Sequence, residues 1–333
     1  MRIGIIGAGH IGLYLGARLM EAGAEIVFLG RGRMQEHLAS HGLKIRSYLG
    51  QNFEAKSFSY VLAPAELGPI DYAINTLKTT QTREVFQELK PYLSKQTKIV
   101  NLQNGVETKN LFEGLELEGR LFEGMVTFNV VINEQGEFYQ SSSGPVAIDA
   151  TAGELIGLCQ NLKIEFLSSQ NIHGVKWSKL LLNLNNALNA LAGIPIKAEL
   201  ENRSYRRILA TLMREALVIA KAKGIKLEKL TPVRPEIIPF ILELPNPVFK
   251  IIARQMISID PKAKSSMLMD LENKSRTEID YLNFKVYELG ASLGLAAPYN
   301  EKLSSLIRQA EISNEGSPKM SAEVLMRLLT SSP

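Results

Sequence analysis

Several residue types that often mark a function are scarce in this chain of 333 residues. Cys159 is the only cysteine, which excludes an intrachain disulfide and a metal site built on cysteines, and which agrees with a reducing cytoplasm. The histidines do not form a ligand constellation, so we expect no metal. There are four of them: His10, His37, His41 and His173.

Long hydrophobic runs and strong charge are also absent. No stretch of about 18 apolar residues without charge occurs, so we expect no membrane span, and the chain opens on a strand pattern without a signal peptide. The net charge of +4 comes without a basic run, which argues against nucleic acid as a partner. We expect a cytoplasmic, globular protein that binds a small molecule, and a homodimer is compatible with the sequence.

A short apolar run opens the chain and leads directly into the pattern Gly-x-Gly-x-x-Gly. Residues 3–6 predict a buried parallel strand, and an amphipathic helix over about His10–Glu21 follows. Gly7 allows a tight turn, Gly9 leaves room for a pyrophosphate, and Gly12 lets the helix pack close to the strand. The helix N-terminus presents free N–H groups to that pyrophosphate. The pattern predicts dinucleotide binding. The alternative is a glycine-rich turn that binds nothing.

The residues after the second predicted strand, Glu25–Leu29, indicate which dinucleotide binds. An enzyme that uses NAD usually has an acid there, whereas residues 30–33 of this chain are Gly, Arg, Gly and Arg. A carboxylate would repel a 2′-phosphate, and a guanidinium binds it through two charge-assisted hydrogen bonds. The pattern favours NADP (NADPH), held by Arg31 or Arg33, although either arginine alone is compatible with ordinary surface charge. The candidate cofactor-binding residues of this region are Gly7, Ala8, Gly9, His10, Ile11, Gly12 and Arg31.

The hydrophobic period changes near the middle of the chain. The first half alternates strand and helix patterns, which is typical of a parallel sheet with crossover helices, and the second half shows the 3.6-residue period of helices. We predict an α/β N-terminal Rossmann-type domain over residues 1–170 that binds NADP, followed by an all-α C-terminal domain over residues 171–333 that binds substrate and catalyses. A weak helix pattern after Gly316 and Pro318 is typical of a tail that frays.

One predicted helix of the second half, over residues 175–191, is rich in amides. Four asparagines occur within seven residues of an otherwise apolar segment, although asparagine is a poor helix former. Lys179, Asn183 and Asn186 have the spacing i, i+4 and i+7, which places them on one face. A lysine and two carboxamides aligned in this way suit an oxyanion or a carboxylate. The alternative is a polar network between helices with a solvated lysine.

A second polar cluster comprises residues 265–270 and 276–281. Thr277 or Ser275 can cap the helix that Glu278 enters, and acids favour a helix N-terminus. For most of these residues, taken singly, that structural role is sufficient.

Four patches, in order along the chain, resemble those of the ketopantoate reductase (2-dehydropantoate 2-reductase) family. They are the N-terminal glycine pattern, Gln-Asn-Gly at 103–105, Trp-x-Lys-Leu-x-x-Asn at 177–183, and Ser-Ser-Met-Leu-x-Asp at 265–270 followed by Thr-Glu-Ile-Asp-Tyr at 277–281. The resemblance spans essentially the whole chain, and the last two motifs are long and specific.

The resemblance also implies roles for individual residues. Lys179 falls at the position of a catalytic lysine, and Glu278 at that of a glutamate where cofactor and substrate meet. Asn183 falls on an asparagine that binds substrate, and Ser266 on a serine that holds the substrate carboxylate. Asn104 is similar to an asparagine that contacts both the nicotinamide ribose and the substrate. Two further positions are similar to residues that contact the cofactor: Lys78 and Val130.

One departure from the family pattern bears on the substrate. The family commonly has a second substrate asparagine eight residues after the lysine, where this chain has Ala187. Asn186 lies one residue earlier and nearer the lysine's side of the helix, so it is the candidate replacement and a candidate substrate ligand. The departure leaves the preferred 2-oxo acid open.

The sequence therefore predicts NADPH-dependent reduction of 2-dehydropantoate to pantoate, a step of pantothenate biosynthesis. One alternative is reduction of another small branched 2-oxo acid. The other is a non-catalytic NADP-binding sensor, which would need no acid such as Lys179 beside the nicotinamide.

Overall fold

The computed structural model describes residues 1–117, 119–253 and 261–331, and the chain divides into two compact units, Met1–Ile172 and His173–Pro333. The first unit is an α/β structure, and the described residues of the second form helices and no strand. The predicted fold class, a Rossmann-type α/β domain followed by a helical domain, is confirmed. In the described part of the chain, no helix has the length and apolar character needed to cross a membrane.

Twelve strands and four α-helices build the described part of the first unit. The strands are β1 (Arg2–Ile6), β2 (Glu25–Leu29), β3 (Leu43–Ser47), β4 (Asn52–Ala55), β5 (Ser59–Val61), β6 (Tyr72–Asn75), β7 (Lys98–Asn101), β8 (Leu121–Val126), β9 (Val130–Ile132), β10 (Phe138–Gln140), β11 (Val146–Asp149) and β12 (Phe166–Ser169). The helices are α1 (His10–Glu21), α2 (Gly32–His41), α3 (Thr82–Leu89) and α4 (Glu154–Cys159).

The main sheet has eight strands in the order β12-β11-β8-β7-β6-β1-β2-β5. All neighbours are parallel except β8 and β11. The chain builds outward from β1 through β2 to β5, and then returns to add β6 on the other side of β1. The strand order therefore reverses between β1 and β6, and in open α/β sheets ligands bind at such a switch point, beyond the carboxyl ends of the strands.

A second sheet, of order β4-β3-β10-β9, packs on α1. This explains two differences from the sequence patterns. The apolar pattern over residues 121–132 divides into β8 and β9, which belong to different sheets, because the chain turns away at residues 127–129. There the Thr127 amide donates to Pro145 O, and the Asn129 amide to Ser142 Oγ. Strand β4 was not predicted, because its short sequence carries no strand pattern. It forms a strand because it pairs with β3.

Ten α-helices build the described part of the second unit. They are α5 (Ile172–Asn183, which begins at the last residue of the first unit), α6 (Asn185–Ala192), α7 (Ile196–Glu201), α8 (Arg203–Ala222), α9 (Ile238–Glu243), α10 (Asn246–Ile252), α11 (Ser266–Glu272), α12 (Asn283–Ser292), α13 (Pro298–Ser313) and α14 (Ala322–Thr330).

Two helix predictions differ from the structure, and one observed helix was not predicted. The segment predicted as one helix over residues 175–191 is divided at Leu184 into α5 and α6, although Leu184 keeps helical dihedral angles and its amide donates to Leu180 O at 3.0 Å. A 3₁₀ turn, Ile279–Tyr281, precedes α12 where one continuous helix was expected. Helix α7 was not predicted; it begins directly after Pro195, whose fixed φ suits a helix start. The 3.6-residue period of the second half also predicts a helix over residues 247–258, and its last part, 254–258, lies outside the described residues.

The C-terminal tail is docked, which corrects the expectation that it frays. Helix α14 packs on α8 and α13, and Leu325 and Leu329 are fully buried. The helix is capped by Ser321, whose hydroxyl accepts from the Val324 amide at 3.4 Å. Just before it, the Met320 amide donates to Leu191 O at 2.8 Å. The apolar stripe of α14 outweighs the Gly and Pro that precede it in the sequence.

We expect Leu325→Ala to lower the free energy of unfolding by roughly 2–5 kcal/mol, the usual result of truncating a fully buried leucine. The matched control is Leu328→Ala on the same helix, because Leu328 is 37% exposed and its loss leaves no buried cavity. Urea unfolding followed by circular dichroism measures both. Equal effects of the two substitutions would contradict the docked arrangement.

Candidate active site

The loop between β1 and α1 is shaped by close packing at two glycines. Gly7 has φ of +99°, and a Cβ there would lie 2.7 Å from the backbone nitrogen of Leu77. A Cβ on Gly12 would lie 2.6 Å from Thr76 Oγ1 and 3.0 Å from the Ile5 side chain. The Thr76 hydroxyl donates to Gly7 O at 2.8 Å. Helix α1 therefore rests directly on the ends of β1 and β6, with no room for a side chain at either glycine.

Gly9 lies on the open side of the same loop. A Cβ built there meets no atom within 4 Å, and Gly9 is the N-cap of α1 without a side-chain cap. The open space at Gly9 thus lies at the N-terminus of a twelve-residue helix, where unpaired N–H groups and the helix dipole favour an anion. This arrangement fits the pyrophosphate of a dinucleotide.

The end of β2 is joined to this loop. The amides of Gly7 and Ala8 both donate to Leu29 O at 3.0 Å. Arg31 follows as the N-cap of α2, with an exposed side chain, and Arg33 is exposed one residue into that helix. The candidate phosphate-binding arginines therefore lie on the same edge of the sheet as the glycine loop.

Position 30 has no room for the acid that NAD enzymes carry in this region. A Cβ on Gly30 would lie 2.7 Å from the Cβ of Ala8 and would collide with the hydroxyl of Tyr60. That hydroxyl donates to Arg31 O at 2.9 Å. Tyr60 thus holds the backbone at Arg31. The sequence analysis missed it, because residues 30–58 separate β2 from its partner β5 along the chain.

The loops after β6 and β7 carry Lys78 and Asn104, and hydrogen bonds hold these loops side by side. Gln103 Nε2 donates to Leu77 O at 2.9 Å, and the Thr79 hydroxyl donates to Asn104 O at 3.5 Å. The structure brings these two predicted residues to the carboxyl edge of the sheet. The side chain of Gln103, part of the Gln-Asn-Gly motif, joins the loops rather than facing solvent.

Buried amides beneath these loops fix their shape. Asn75 Nδ2 donates to Asn101 Oδ1 at 3.0 Å, and Asn101 Nδ2 donates to Thr108 Oγ1 at 2.9 Å. Asn75 Oδ1 also accepts from the Leu77 amide at 3.2 Å. Sequence reasoning missed this network, because asparagines at the ends of apolar strands show no spacing signal of their own.

His10 and Val130 are neighbours within the first unit. Val130 is buried in β9, and its backbone forms a hydrogen bond with His10. The His10 ring lies 6.3 Å from the ring of Phe138, between centroids. The structure therefore places both residues where α1 meets the second sheet.

In the second unit, Lys179 and Asn183 lie one turn apart on α5, and both are more than 90% buried. Burial lowers the pKa of Lys179 from 10.5 to about 8, because the ammonium form loses its solvation. An amine with a pKa near the working pH can both hold and give up a proton, which suits a general acid.

Asn186 and Ser266 are brought together by the packing of α6 on α11. Asn186 Nδ2 donates to Ser266 Oγ at 3.5 Å. Ser265, the N-cap of α11, donates from its hydroxyl to Asn186 O and accepts from the Leu268 amide, both at 3.1 Å. Ala187, at the position of the family asparagine, is fully buried.

Glu278 is half-buried and immediately precedes the 3₁₀ turn Ile279–Tyr281. Glu278 itself is the N-cap position of that turn and makes no side-chain cap hydrogen bond, so neither Thr277 nor Ser275 occupies the predicted capping position. The Thr277 hydroxyl accepts from the Ile279 amide at 3.2 Å, and the Ser275 hydroxyl donates to Asn273 O. The hydrogen bond from Ile279 to Thr277 thus spans Glu278 and fixes its backbone.

Comparison with known proteins settles the family. The model of the family "Ketopantoate reductase PanE/ApbA" matches residues 3–153, and that of its C-terminal domain matches residues 171–311. The chain belongs to the ketopantoate reductase family. It is therefore a dinucleotide-dependent oxidoreductase of the kind that acts on a CH–OH group.

Relatives of full length agree with this assignment. A 2-dehydropantoate 2-reductase of Pyrococcus horikoshii is 27% identical over 325 residues, which cover 95% of this chain and 100% of the relative. An uncharacterized oxidoreductase of Bacillus subtilis, YkpB, is also 27% identical and covers 93% of this chain and 99% of its own length.

Solved structures show the same fold. The 2-dehydropantoate 2-reductase of Geobacter metallireducens is 28% identical with a TM-score of 0.78, covering 93% of this chain and all of its own. The ketopantoate reductase of Ralstonia eutropha is 25% identical with a TM-score of 0.79, covering 95% of this chain and all of its own. D-mandelate dehydrogenase, solved with NADH and anilino(oxo)acetate, has a TM-score of 0.78 and covers 94% of this chain and 99% of its own. It is 23% identical, and at that identity the likeness shows a shared fold and nothing more.

We expect Gly9→Ala to leave the melting temperature unchanged and to weaken dinucleotide binding at least about tenfold, because the added methyl occupies only the open space over the loop. The matched control is Gly157→Ala in α4. A Cβ at Gly157 also meets nothing within 4 Å, and α4 is a different element from the glycine loop. Thermal melts and cofactor titration by fluorescence measure the two effects. Unchanged cofactor affinity in Gly9→Ala would contradict a binding role for this loop.

Proposed function

We propose that this protein catalyses the NADPH-dependent reduction of 2-dehydropantoate to pantoate, in the cytoplasm, as a step of pantothenate biosynthesis. The single observation that carries the proposal is the buried Lys179, with its pKa near 8, on the helix that also presents Asn183. An oxidoreductase that reduces a ketone with a dinucleotide needs a proton donor beside the ketone oxygen, and a lysine of this kind can be that donor.

The first unit fits the cofactor. The open N-terminus of α1 at Gly9 would hold the pyrophosphate, and Arg31 or Arg33 the 2′-phosphate. Lys78 and Asn104, at the carboxyl edge of the sheet, would contact the nicotinamide half, and Val130 would do so through its backbone. When bound, the cofactor supplies the hydride.

The remaining residues would orient the substrate and manage the proton. Asn104 and Asn183 would donate hydrogen bonds to its oxygens, and Ser266 with Asn186 would bind its carboxylate. Lys179, as an ammonium, would stabilise the negative charge that develops on the ketone oxygen and then give that oxygen a proton. Glu278 would accept a hydrogen bond from a substrate or ribose hydroxyl and favour the charged form of the lysine.

Reduction of another small branched 2-oxo acid is the second candidate, and Ala187 is the observation that favours it. The family asparagine at this position is missing, and the buried methyl group of Ala187 cannot replace its hydrogen bonds. A non-catalytic NADP sensor is disfavoured, because burying Lys179 is costly and a sensor gains nothing from it.

NADPH should bind more tightly than NADH, and Arg31→Ala should narrow the difference. A charge-assisted contact to phosphate contributes roughly 1.5–3 kcal/mol, which is about tenfold or more in affinity. Dissociation constants for both cofactors, measured by fluorescence, test this. Arg33→Ala is the matched comparison, since both arginines are exposed within the same segment. Equal affinities for the two cofactors in the wild type would refute the choice of NADP.

The wild type should reduce 2-dehydropantoate with a higher kcat/KM than 2-oxoisovalerate. The second acid lacks the hydroxymethyl group, so it would leave a buried polar group of the protein unpaired, at a cost of roughly 1–3 kcal/mol.

Lys179→Ala should lower kcat for NADPH oxidation by about 10²–10⁴, the usual range for a lost general acid, and leave NADPH binding nearly intact. Because burial lowers the pKa of Lys179 to about 8, kcat/KM of the wild type should decline above that pH as the amine loses its proton.

Lys176→Met is the matched control, because Lys176 is equally buried on the same helix, and it should keep kcat within about threefold of wild type. A folded Lys179→Ala protein that binds NADPH and reduces substrate at the wild-type rate would remove the lysine from the mechanism. Equal turnover of 2-dehydropantoate and 2-oxoisovalerate would agree with a 2-oxo acid reductase but would refute 2-dehydropantoate as its preferred substrate.

A further inference from the structure

The second unit contains a buried carboxyl group that has no role in the reaction proposed above. Glu199 lies in α7 and is 1% exposed. Asn189 Nδ2 donates to its Oε2 at 2.7 Å, and the side chain of Asn185 forms a second hydrogen bond with it. Its hydrogen-bond partners in the described part of the chain are amides and not a cation, which is unusual for a buried acid.

Two observations indicate that this acid is neutral. Burial raises the pKa of Glu199 from 4.5 to about 8, because the carboxylate form loses its solvation. In addition, two buried oxygens of the cluster, Glu199 Oε1 and Asn185 Oδ1, have no donor among the described residues. Both are acceptors, and a neutral carboxyl group would bring a donor proton to a cluster in which these acceptors have none.

The same cluster controls the start of α11. Asn189 is fully buried, and its Oδ1 accepts from the Ser265 amide at 3.0 Å. Its Nδ2 donates to Ile194 O at 2.9 Å as well as to Glu199. Every hydrogen-bonding atom of the Asn189 amide is therefore engaged, and the carboxyl group of Glu199 fixes which way that amide faces.

Ser265 connects this cluster to the residues proposed to bind the substrate carboxylate. Its amide is held by Asn189, and its hydroxyl donates to Asn186 O. Ser266 follows directly, and its hydroxyl accepts from Asn186 Nδ2 at 3.5 Å. A chain of hydrogen bonds thus runs from Glu199 through Asn189 and Ser265 to the pair Asn186 and Ser266.

We propose that Glu199 is a positioning residue that acts as a neutral acid through Asn189 to hold Ser265, and with it Ser266 and Asn186, in the geometry that binds the carboxylate of a 2-oxo acid. The proposal rests on the proposed function for the roles of Ser266 and Asn186. A binding group displaced by a fraction of an ångström loses much of its effect, so support from surrounding residues matters. A neutral acid also keeps negative charge away from a site that must attract a carboxylate.

The test compares Glu199→Gln with Glu199→Met in the full-length protein. Glutamine keeps the size, the neutral charge, one acceptor and one donor, whereas methionine keeps the approximate volume and removes every hydrogen bond. We expect Glu199→Met to raise KM for 2-dehydropantoate about tenfold, with kcat within threefold and an unchanged Kd for NADPH, and Glu199→Gln to restore KM to within threefold of wild type. Glu201→Met, at the exposed end of the same helix, is the matched control and should change nothing.

Hydrogen exchange gives a readout that does not depend on activity. The segment with the amides of Ser265 and Leu268 should exchange about tenfold faster in Glu199→Met and at the wild-type rate in Glu199→Gln. If Glu199→Met does not fold, Glu199→Asp replaces it, because the shorter acid keeps its chemistry but cannot reach Asn189 at the same distance.

Each outcome bears on a different claim. A wild-type KM and wild-type exchange in Glu199→Met would overturn the positioning role. An equal rise of KM in Glu199→Gln and Glu199→Met would show that an ionised carboxylate is required, which also overturns it. If the wild type reduces no 2-oxo acid, the proposed function fails, and the exchange rates alone decide whether Glu199 holds Ser265.

Discussion

The close approach of α1 to the ends of β1 and β6 is the constraint on which the candidate cofactor site of the first unit depends. At Gly12 the helix lies so near the strands that a single methyl group would meet Thr76 and Ile5. This contact places the first turn of α1 at the strand order's reversal, with Gly9 facing open space. An anion there gains from the helix dipole and from backbone N–H groups at once, without any charged side chain.

Elements distant in sequence then complete that edge of the sheet. Tyr60 reaches from β5 to the backbone of Arg31, and together with Ala8 it leaves no room for a side chain at position 30. The proposed preference for NADPH thus rests on the lack of room for an acid at position 30 as well as on the charge of the arginines. The amides of Asn75, Asn101 and Gln103 play a similar part for the next two loops, because buried polar groups must be paired and each pairing fixes a backbone position.

The helical unit buries several polar groups in an apolar interior. There a paired hydrogen bond stabilises the fold more than at the surface, and an unpaired polar group destabilises it more. Burial lowers the pKa of Lys179 and raises that of Glu199, each towards the neutral form. The two shifts suit the different roles proposed for these residues. A lysine near its pKa exchanges protons, whereas a neutral carboxylic acid offers a donor and an acceptor and so can orient an amide such as Asn189.

The sequence by itself determined the elements whose signals are local. The glycine pattern, the apolar run before it and the 3.6-residue period after it gave α1 and β2 their bounds, and the period change gave the fold class. The motifs at 177–183 and 277–281 pointed to the family. These features were predictable because turn geometry and hydrophobic period act over a few residues.

Only the tertiary structure decided the features that depend on partners far along the chain. Strand β4, the division of residues 121–132 between two sheets and the docking of α14 follow from pairing and packing that no local pattern encodes. The crowding of Gly30 by Tyr60 and the link from Glu199 to Ser265 also depend on residues far apart in the sequence. A residue's type limits which hydrogen bonds it can make, but burial and the neighbours brought by the fold decide which ones it does make.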